Sequence, residues 1–83
     1  MRLVHWSPRA EKDLSGLEVI TARRVLAAVE RFASSGVGDV KNLQGELAGT
    51  MRLRVGDLRV VFEWTDTSAI RVVRIVPRKD AYR

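Results

Sequence analysis

Apolar and polar residues alternate along this chain with two different periods. Between Glu18 and Ser35 the apolar residues recur at spacings of three and four, whereas from Thr50 onward they alternate with polar residues at every second position. A spacing of three to four places side chains on one face of a helix, and a spacing of two places them on one face of a strand. The pattern therefore predicts helices in the first half of the chain and strands in its last third.

The helical half begins after a short β-prone segment, Arg2 to Trp6. Ser7 is a suitable N-cap, and Pro8 suits the first helical position because no backbone N–H is needed there. We predict a short helix from Pro8 to about Gly16 and a longer one from Glu18 to Ser35. Their predicted inward-facing residues are Leu14, Leu17, Ala22, Val25, Leu26, Val29, Phe32 and Ala33. Gly36 is expected to end the second helix.

Three strands are predicted in the last third: Thr50–Val55, Leu58–Trp64 and Ala69–Val76. Gly56-Asp57 is a two-residue hairpin signal, and the segment 37–49 is expected to be a loop. The predicted order is β-α-α-β-β-β. We expect one α+β domain, 1–83, with two helices packed on one face of a small antiparallel sheet.

Composition narrows the classes of function. The 83 residues contain 15 Lys and Arg against 10 Asp and Glu, a net charge of +5, with no cysteine and one histidine. A basic protein of this size favours an anionic partner, although solubility alone is an alternative. Disulfides, thiol nucleophiles and cysteine zinc sites are excluded. No metal or other cofactor is predicted, and the lack of a long apolar run leads us to expect a cytoplasmic protein with no membrane partner.

The arginines of the predicted strands are the strongest candidate for chemistry. Arg52 and Arg54 flank Leu53, so they must share one strand face about 7 Å apart. Arg59 is the second residue of the next predicted strand. Arginine is always charged and can contact two phosphate oxygens at once, so this group suits a phosphate backbone. The alternative is that these arginines are solvated strand residues with no role beyond solubility.

Three segments in order carry a resemblance to a known family: Leu43–Gly45, Met51–Phe62 and Val76–Arg83. A leucine-x-glycine segment, a basic strand with a glycine-acidic hairpin, and a basic C-terminus ending in tyrosine together resemble the RelE/ParE superfamily of bacterial toxins. The resemblance covers nearly the whole chain. It implies a RelE-like α+β fold and membership of a type II toxin–antitoxin pair.

Two activities occur in that superfamily. RelE-like members cleave mRNA in the ribosomal A site, and ParE-like members inhibit DNA gyrase. The resemblance to RelE-like members implies candidate catalytic and RNA-binding residues. The catalytic candidates are Arg54, Arg59, Arg78 and Tyr82. The RNA-binding candidates are Arg52, Arg54, Arg71, Lys79 and Arg83.

Two departures from the family pattern bear on the choice between these activities. Leu58 stands where relatives usually carry an aromatic residue, and Pro77 stands where many carry histidine. The second departure removes a candidate acid–base imidazole. A gyrase inhibitor without nuclease chemistry is therefore the alternative, and an RNA-binding or regulatory module that has lost toxicity is a third hypothesis.

Cleavage of RNA without a metal uses the neighbouring 2′-OH as the nucleophile. Cations stabilise the highly charged transition state, but arginine is a poor general base. The candidates for the base are Tyr82, Lys79, Glu63 and Glu46. Surrounding arginines would lower the pKa of Tyr82, and this residue could instead stack on a base.

The resemblance also implies partners. We expect a cognate antitoxin with an acidic, amphipathic segment that folds on the basic surface. The ribosome and mRNA are the implied targets. Operator DNA is expected to be bound only through the antitoxin.

Overall fold

The computed structural model describes residues 2–42 and 49–77. Two helices and five strands follow one another along the chain. They are β1 (Leu3–Trp6), α1 (Pro8–Ser15), α2 (Val19–Ser35), β2 (Val40–Asn42), β3 (Met51–Val55), β4 (Leu58–Asp66) and β5 (Ala69–Pro77). The α+β class and the predicted helices and strands are confirmed.

The five strands form one sheet in the order β1-β5-β4-β3-β2. Strands β2 to β5 pair antiparallel, but β1 pairs with β5 in parallel, so the prediction of a purely antiparallel sheet was wrong. The predicted loop 37–49 was also wrong in part, because Val40–Asn42 forms β2 and pairs with Met51–Leu53. A strand of three residues is too short to show an alternation of apolar and polar residues. The parallel pairing of β1 with β5 joins distant segments, so no pattern within either segment predicts it.

The hydrophobic core lies between the helices and one face of the sheet. Val25, Val29 and Phe32 of α2 pack with Val60 and Phe62 of β4, and all five are buried. Leu14 and Leu17 pack against this core as predicted. Leu26 was predicted to face inward, but this was wrong, because Leu26 is 39% exposed and lines a surface groove with Leu3 and Trp6.

Helix α1 is fastened to β5 by two polar side chains. The Ser7 hydroxyl accepts a hydrogen bond from Ala10 N (3.0 Å) and donates one to Val73 O (2.8 Å), so the predicted cap also joins helix to sheet. The Asp13 carboxylate accepts from Ile75 N (3.0 Å) and Arg74 Nε (3.2 Å). Asp13 thus accepts a hydrogen bond from a backbone N–H of β5 that lies beyond the end of β1, and buried backbone donors need such a partner.

Helix α2 ends at Gly36, whose φ of 75° confirms the predicted glycine stop. Its last turn contains no basic residue. Arg2 supplies the missing cation, because its guanidinium donates to Phe32 O and Ala33 O, both at 3.4 Å. The guanidinium also lies over the rings of Phe32 and Trp64, 5.7 and 5.4 Å from their centres. Cations at a helix C-terminus and over aromatic rings are both stabilising.

Two short turns close the antiparallel hairpins. Gly56 has a φ of 58° in the β3–β4 turn, which fits a type II′ hairpin with glycine at its first central position. In the β4–β5 turn, Asp66 Oδ1 accepts from Ser68 N (2.7 Å) and Ser68 Oγ (3.1 Å). No helix within the described part of the chain is both long and apolar enough to cross a membrane.

The Asp66 turn predicts a pH-dependent stability. Hydrogen bonds from the backbone and side chain of Ser68 lower the pKa of Asp66 below its ordinary value of 3.8. The stability that the ionised Asp66 carboxylate adds to the fold is therefore fully present above the unfolded-state pKa. It is lost as the pH falls through the folded-state pKa. We expect the difference in free energy of unfolding between wild type and Asp66→Asn to be positive at pH 7 and to shrink below about pH 4. Urea unfolding across this range measures it, and a difference that is independent of pH would contradict the assignment.

Candidate nucleic-acid interface

The face of the sheet turned away from the helices carries the predicted arginines. Leu53 of β3 and Val60 of β4 point toward the helices and belong to the core. Because strand side chains alternate, Arg52, Arg54 and Arg59 lie on the opposite face. We call this surface the basic face. The prediction that Arg52 and Arg54 share a face is therefore confirmed.

Strand register brings Arg54 and Arg59 together. The two residues are directly paired across β3 and β4, so their side chains leave the sheet about 5 Å apart at Cβ. Arg52 is paired with Val61 on β4 and with Lys41 on β2, which places it diagonally across from Arg59. The pair concentrates positive charge at one point of the basic face.

The three arginines differ in their burial. Arg52 is 4% exposed and Arg59 is 1% exposed, whereas Arg54 is exposed. Val61, beside them on β4, is also buried at 6%. Burial contradicts a role for Arg52 and Arg59 as solvated residues that serve only solubility. Arg54 is the one of the three that presents its side chain to solvent.

Asp39 fixes the position of Arg52. Its carboxylate Oδ1 lies 3.6 Å from Arg52 Nη1, which also donates to Asp39 O at 3.4 Å. The same carbonyl accepts from Arg54 N at 2.9 Å. The segment before β2 thereby holds two consecutive positions of the basic face. Asp39 was missed by sequence analysis because it lies in the segment predicted to be a loop.

Arg71 lies on the basic face but away from the paired arginines. It is paired with Glu63 on β4, and its Nη1 lies 3.8 Å from Glu63 Oε1. Glu63 is four residues from Arg59, which is about 13 Å along a strand. Arg71 is therefore a peripheral member of the face whose charge is partly balanced by Glu63.

The remaining predicted residues lie outside the described residues. They are Glu46, Arg78, Lys79, Tyr82 and Arg83. The Leu43–Gly45 segment of the family pattern also lies outside them. The roles assigned to these positions stay predictions. Within 2–42 and 49–77, no group of three His, Asp or Glu side chains is placed to hold a metal ion.

The arrangement is chemically suited to a phosphodiester. The exposed guanidinium of Arg54 lies beside the buried guanidinium of Arg59. Arg52, which is also buried, lies diagonally across from Arg59 on the same face. A low-dielectric position strengthens the field of a fixed charge, and fixed cations stabilise negative charge without reorganising. The described residues near Arg54 and Arg59 include no carboxylate or imidazole paired with them in strand register that could serve as the general base.

Comparisons with known proteins identify a family and solved structures to which this chain is similar. A family model described as "ParE toxin of type II toxin-antitoxin system, parDE" matches residues 4–82. A chain of the toxin–antitoxin complex RelBE2 from Mycobacterium tuberculosis is 30% identical with a TM-score of 0.65, covering 93% of this chain and 98% of that one. A chain of the RelE–RelB complex from Pyrococcus horikoshii is 28% identical with a TM-score of 0.73, covering 93% and 94%.

A third solved structure shares the fold at lower identity. A chain of the RelB–RelE antitoxin–toxin complex from Methanococcus jannaschii is 23% identical with a TM-score of 0.73, and the match covers 94% of each chain. No curated protein matches this chain in sequence.

The Arg52–Asp39 pair predicts a measurable loss of stability. Asp39→Asn keeps the size of the side chain but leaves Arg52 buried without its carboxylate. Breaking a buried pair costs about 3–5 kcal/mol. Asp39 is 55% exposed, so we expect a loss of only about 1–2 kcal/mol in the free energy of unfolding. Urea unfolding measures this loss.

The matched control is Asp57→Asn, which removes an exposed carboxylate from the β3–β4 turn. We expect this change to alter the free energy of unfolding by less than about 0.5 kcal/mol. Equal losses in the two variants would show that the Asp39 carboxylate does not stabilise Arg52.

Proposed function

Because this chain belongs to the ParE toxin family, within the RelE/ParE superfamily of type II toxin–antitoxin toxins, we propose that it cleaves mRNA on the ribosome. The proposed activity is a metal-independent endonuclease that acts in the A site and inhibits translation. The observation that supports it is the Arg54–Arg59 pair on the basic face, with Arg52 diagonal to it. The RelE–RelB structures at 28% and 30% identity support the RelE-like choice.

The chemistry follows from the needs of the phosphodiester. The 2′-oxygen attacks the adjacent phosphorus, the bond to the 5′-oxygen breaks, and the products are a 2′,3′-cyclic phosphate and a 5′-hydroxyl. The 2′-OH proton passes to a base, and the 5′-oxygen acquires a proton as it leaves. Negative charge grows on the phosphoryl oxygens between these events, which is where preorganised cations contribute most.

We assign different roles to the arginines on the basis of burial. Arg54 is exposed and is proposed to contact a phosphoryl oxygen directly. Arg59 is 1% exposed, so its proposed role is to hold positive charge beside Arg54. Arg52, held by Asp39, is proposed to strengthen the same field.

The C-terminal residues complete the proposed site. Arg78 is proposed to stabilise charge, Tyr82 to act as base or stacking residue, and Lys79 and Arg83 to bind RNA backbone. Glu63 is a poor candidate for the base. Its carboxylate is paired with Arg71, and it lies about 13 Å along β4 from Arg59. Arg71 is proposed to bind a neighbouring phosphate.

The proposed partner is an acidic antitoxin. The structures from Pyrococcus horikoshii and Methanococcus jannaschii are complexes of RelE with RelB, which supports the proposal that this chain also has such a partner. An acidic segment would neutralise the basic face, and the pair would bind operator DNA through the antitoxin. We propose that the chain acts in the cytoplasm on the ribosome and its mRNA.

The proposal predicts ribosome-dependent cuts that require Arg54. Primer extension on a defined mRNA in a purified translation system should show cuts within A-site codons for the wild type. Arg54→Ala should slow cleavage by about 10²–10³-fold, because a cation aimed at the transition state is lost. Arg59→Ala combined with Arg78→Ala should abolish the cuts. Arg23→Ala, an exposed arginine on α2, is the matched control and should cleave at the wild-type rate.

Two outcomes would contradict the proposed nuclease activity. Cuts that persist in Arg54→Ala at the wild-type rate would remove the basic face from the mechanism. A folded wild-type protein that gives no cuts would favour the gyrase alternative, which the ParE name of the matching family keeps relevant. A DNA supercoiling assay with purified gyrase tests that alternative directly.

A further inference from the structure

Exposed apolar side chains gather on the outer side of helix α2 and on the neighbouring edge strand β1. Among the described residues, four large apolar side chains on these two elements are each at least 39% exposed: Leu3, Val19, Ile20 and Leu26. Single exposed apolar residues are ordinary on a protein surface, whereas a group of them on adjacent elements indicates a surface that another protein covers.

A groove of about 360 Å³ lies between α2 and β1. Leu26 and Glu30 line it from α2, and Leu3 and Trp6 line it from β1. Helix α2 packs on the core side of the sheet, which is the side opposite the basic face. A protein bound along the outer side of α2 therefore leaves the basic face open.

Two opposite charges lie on the same side of α2 as Leu26. Arg23 and Glu30 are both exposed. They are seven residues apart, which places them about 10.5 Å apart along the helix axis and about 20° apart around it. Leu26 lies between them and within about 60° of each around the axis. Among the described residues, neither charge forms an ion pair with another side chain.

We propose that this side of α2 binds a second copy of the chain, with the two α2 helices antiparallel about a two-fold axis. Arg23 lies three residues before Leu26, and Glu30 lies three residues after Ala27. A two-fold axis that sets Leu26 against Ala27 of the second copy therefore brings the charges together as well. Arg23 of each copy then lies beside Glu30 of the other, because a two-fold interface repeats every contact.

The mixed charge of the surface is what selects a second copy as the occupant. An acidic segment would place like charge beside Glu30, and a basic segment would place like charge beside Arg23. An antiparallel copy of α2 matches both charges at once. The small side chain of Ala27 also lets the helices approach closely where Leu26 of the other copy packs. One helix from each copy makes a small interface, so the dimer is reversible.

Sedimentation velocity of the purified chain tests this dimer. The wild type should change from monomer to dimer as its concentration rises from about 1 µM to about 500 µM, because small interfaces bind weakly. Arg23→Glu should raise the dissociation constant about 10–30-fold, since two exposed attractive pairs become repulsive. Arg24→Glu is the matched control. It makes the same change at an exposed position about 100° around the helix from Arg23 and should keep the wild-type affinity.

A mixture of two variants tests the pairing of the charges directly. Arg23→Glu and Glu30→Arg should each associate weakly alone. Mixed together, they should form a heterodimer of about wild-type affinity, because both attractive pairs return with the charges exchanged.

A third variant tests the apolar contact without changing charge. Leu26→Gln keeps helix propensity and should weaken the dimer about 10-fold. Circular dichroism checks that each variant is folded.

The outcomes are independent of the proposed nuclease activity. A wild type that stays monomeric over this range would overturn the dimer. A dimer whose affinity is unchanged by Arg23→Glu and by Leu26→Gln would overturn its assignment to α2. Weakening in these variants with recovery in the mixture would support it. A wild type that dimerises in this way but gives no mRNA cuts would contradict the proposed function alone.

Discussion

Burial of strand β4 on both of its faces is the constraint that organises this small protein. On the helix side, Val60 and Phe62 are 0% and 1% exposed. On the other side, Arg59 and Val61 are 1% and 6% exposed. A central strand with two buried faces normally consists of apolar residues throughout. Here one of those positions carries a guanidinium, which has a high cost of desolvation unless its surroundings compensate for the charge.

The guanidinium of Arg59 lies on the side of the sheet away from the apolar core that Val25, Val29 and Phe32 help to form. An apolar side chain usually buries more favourably than a charge. In the proposed function, Arg59 and Arg54 hold two cations side by side on the basic face, so their field is in place before a phosphate arrives.

Local signals in the sequence were enough for most of the fold. The Ser7-Pro8 cap, the spacing of Val25, Val29 and Phe32, and the Gly56 turn all act within a few residues, so they predicted helix and strand positions well. The parallel pairing of β1 and the short β2 depend on contacts between distant segments and could not be predicted.

The candidate site was predicted in the same uneven way. That Arg52 and Arg54 share a face follows from strand alternation alone, and the Gly56 hairpin places Arg59 near them. Their unequal burial does not follow from any pattern, because it depends on what covers each position in three dimensions. Asp39 was missed for the same reason, since its role exists only after β2 has paired with β3.

Unequal burial divides the arginines of the basic face into two kinds. Arg54 is exposed, so its guanidinium can exchange partners without disturbing the core, whereas Arg52 and Arg59 are buried. Asp39 lies 3.6 Å from Arg52 and holds that guanidinium in position. In the proposed function, Arg54 is therefore the arginine that contacts the phosphate, and the buried arginines add positive charge that needs no reorganisation when the phosphate arrives.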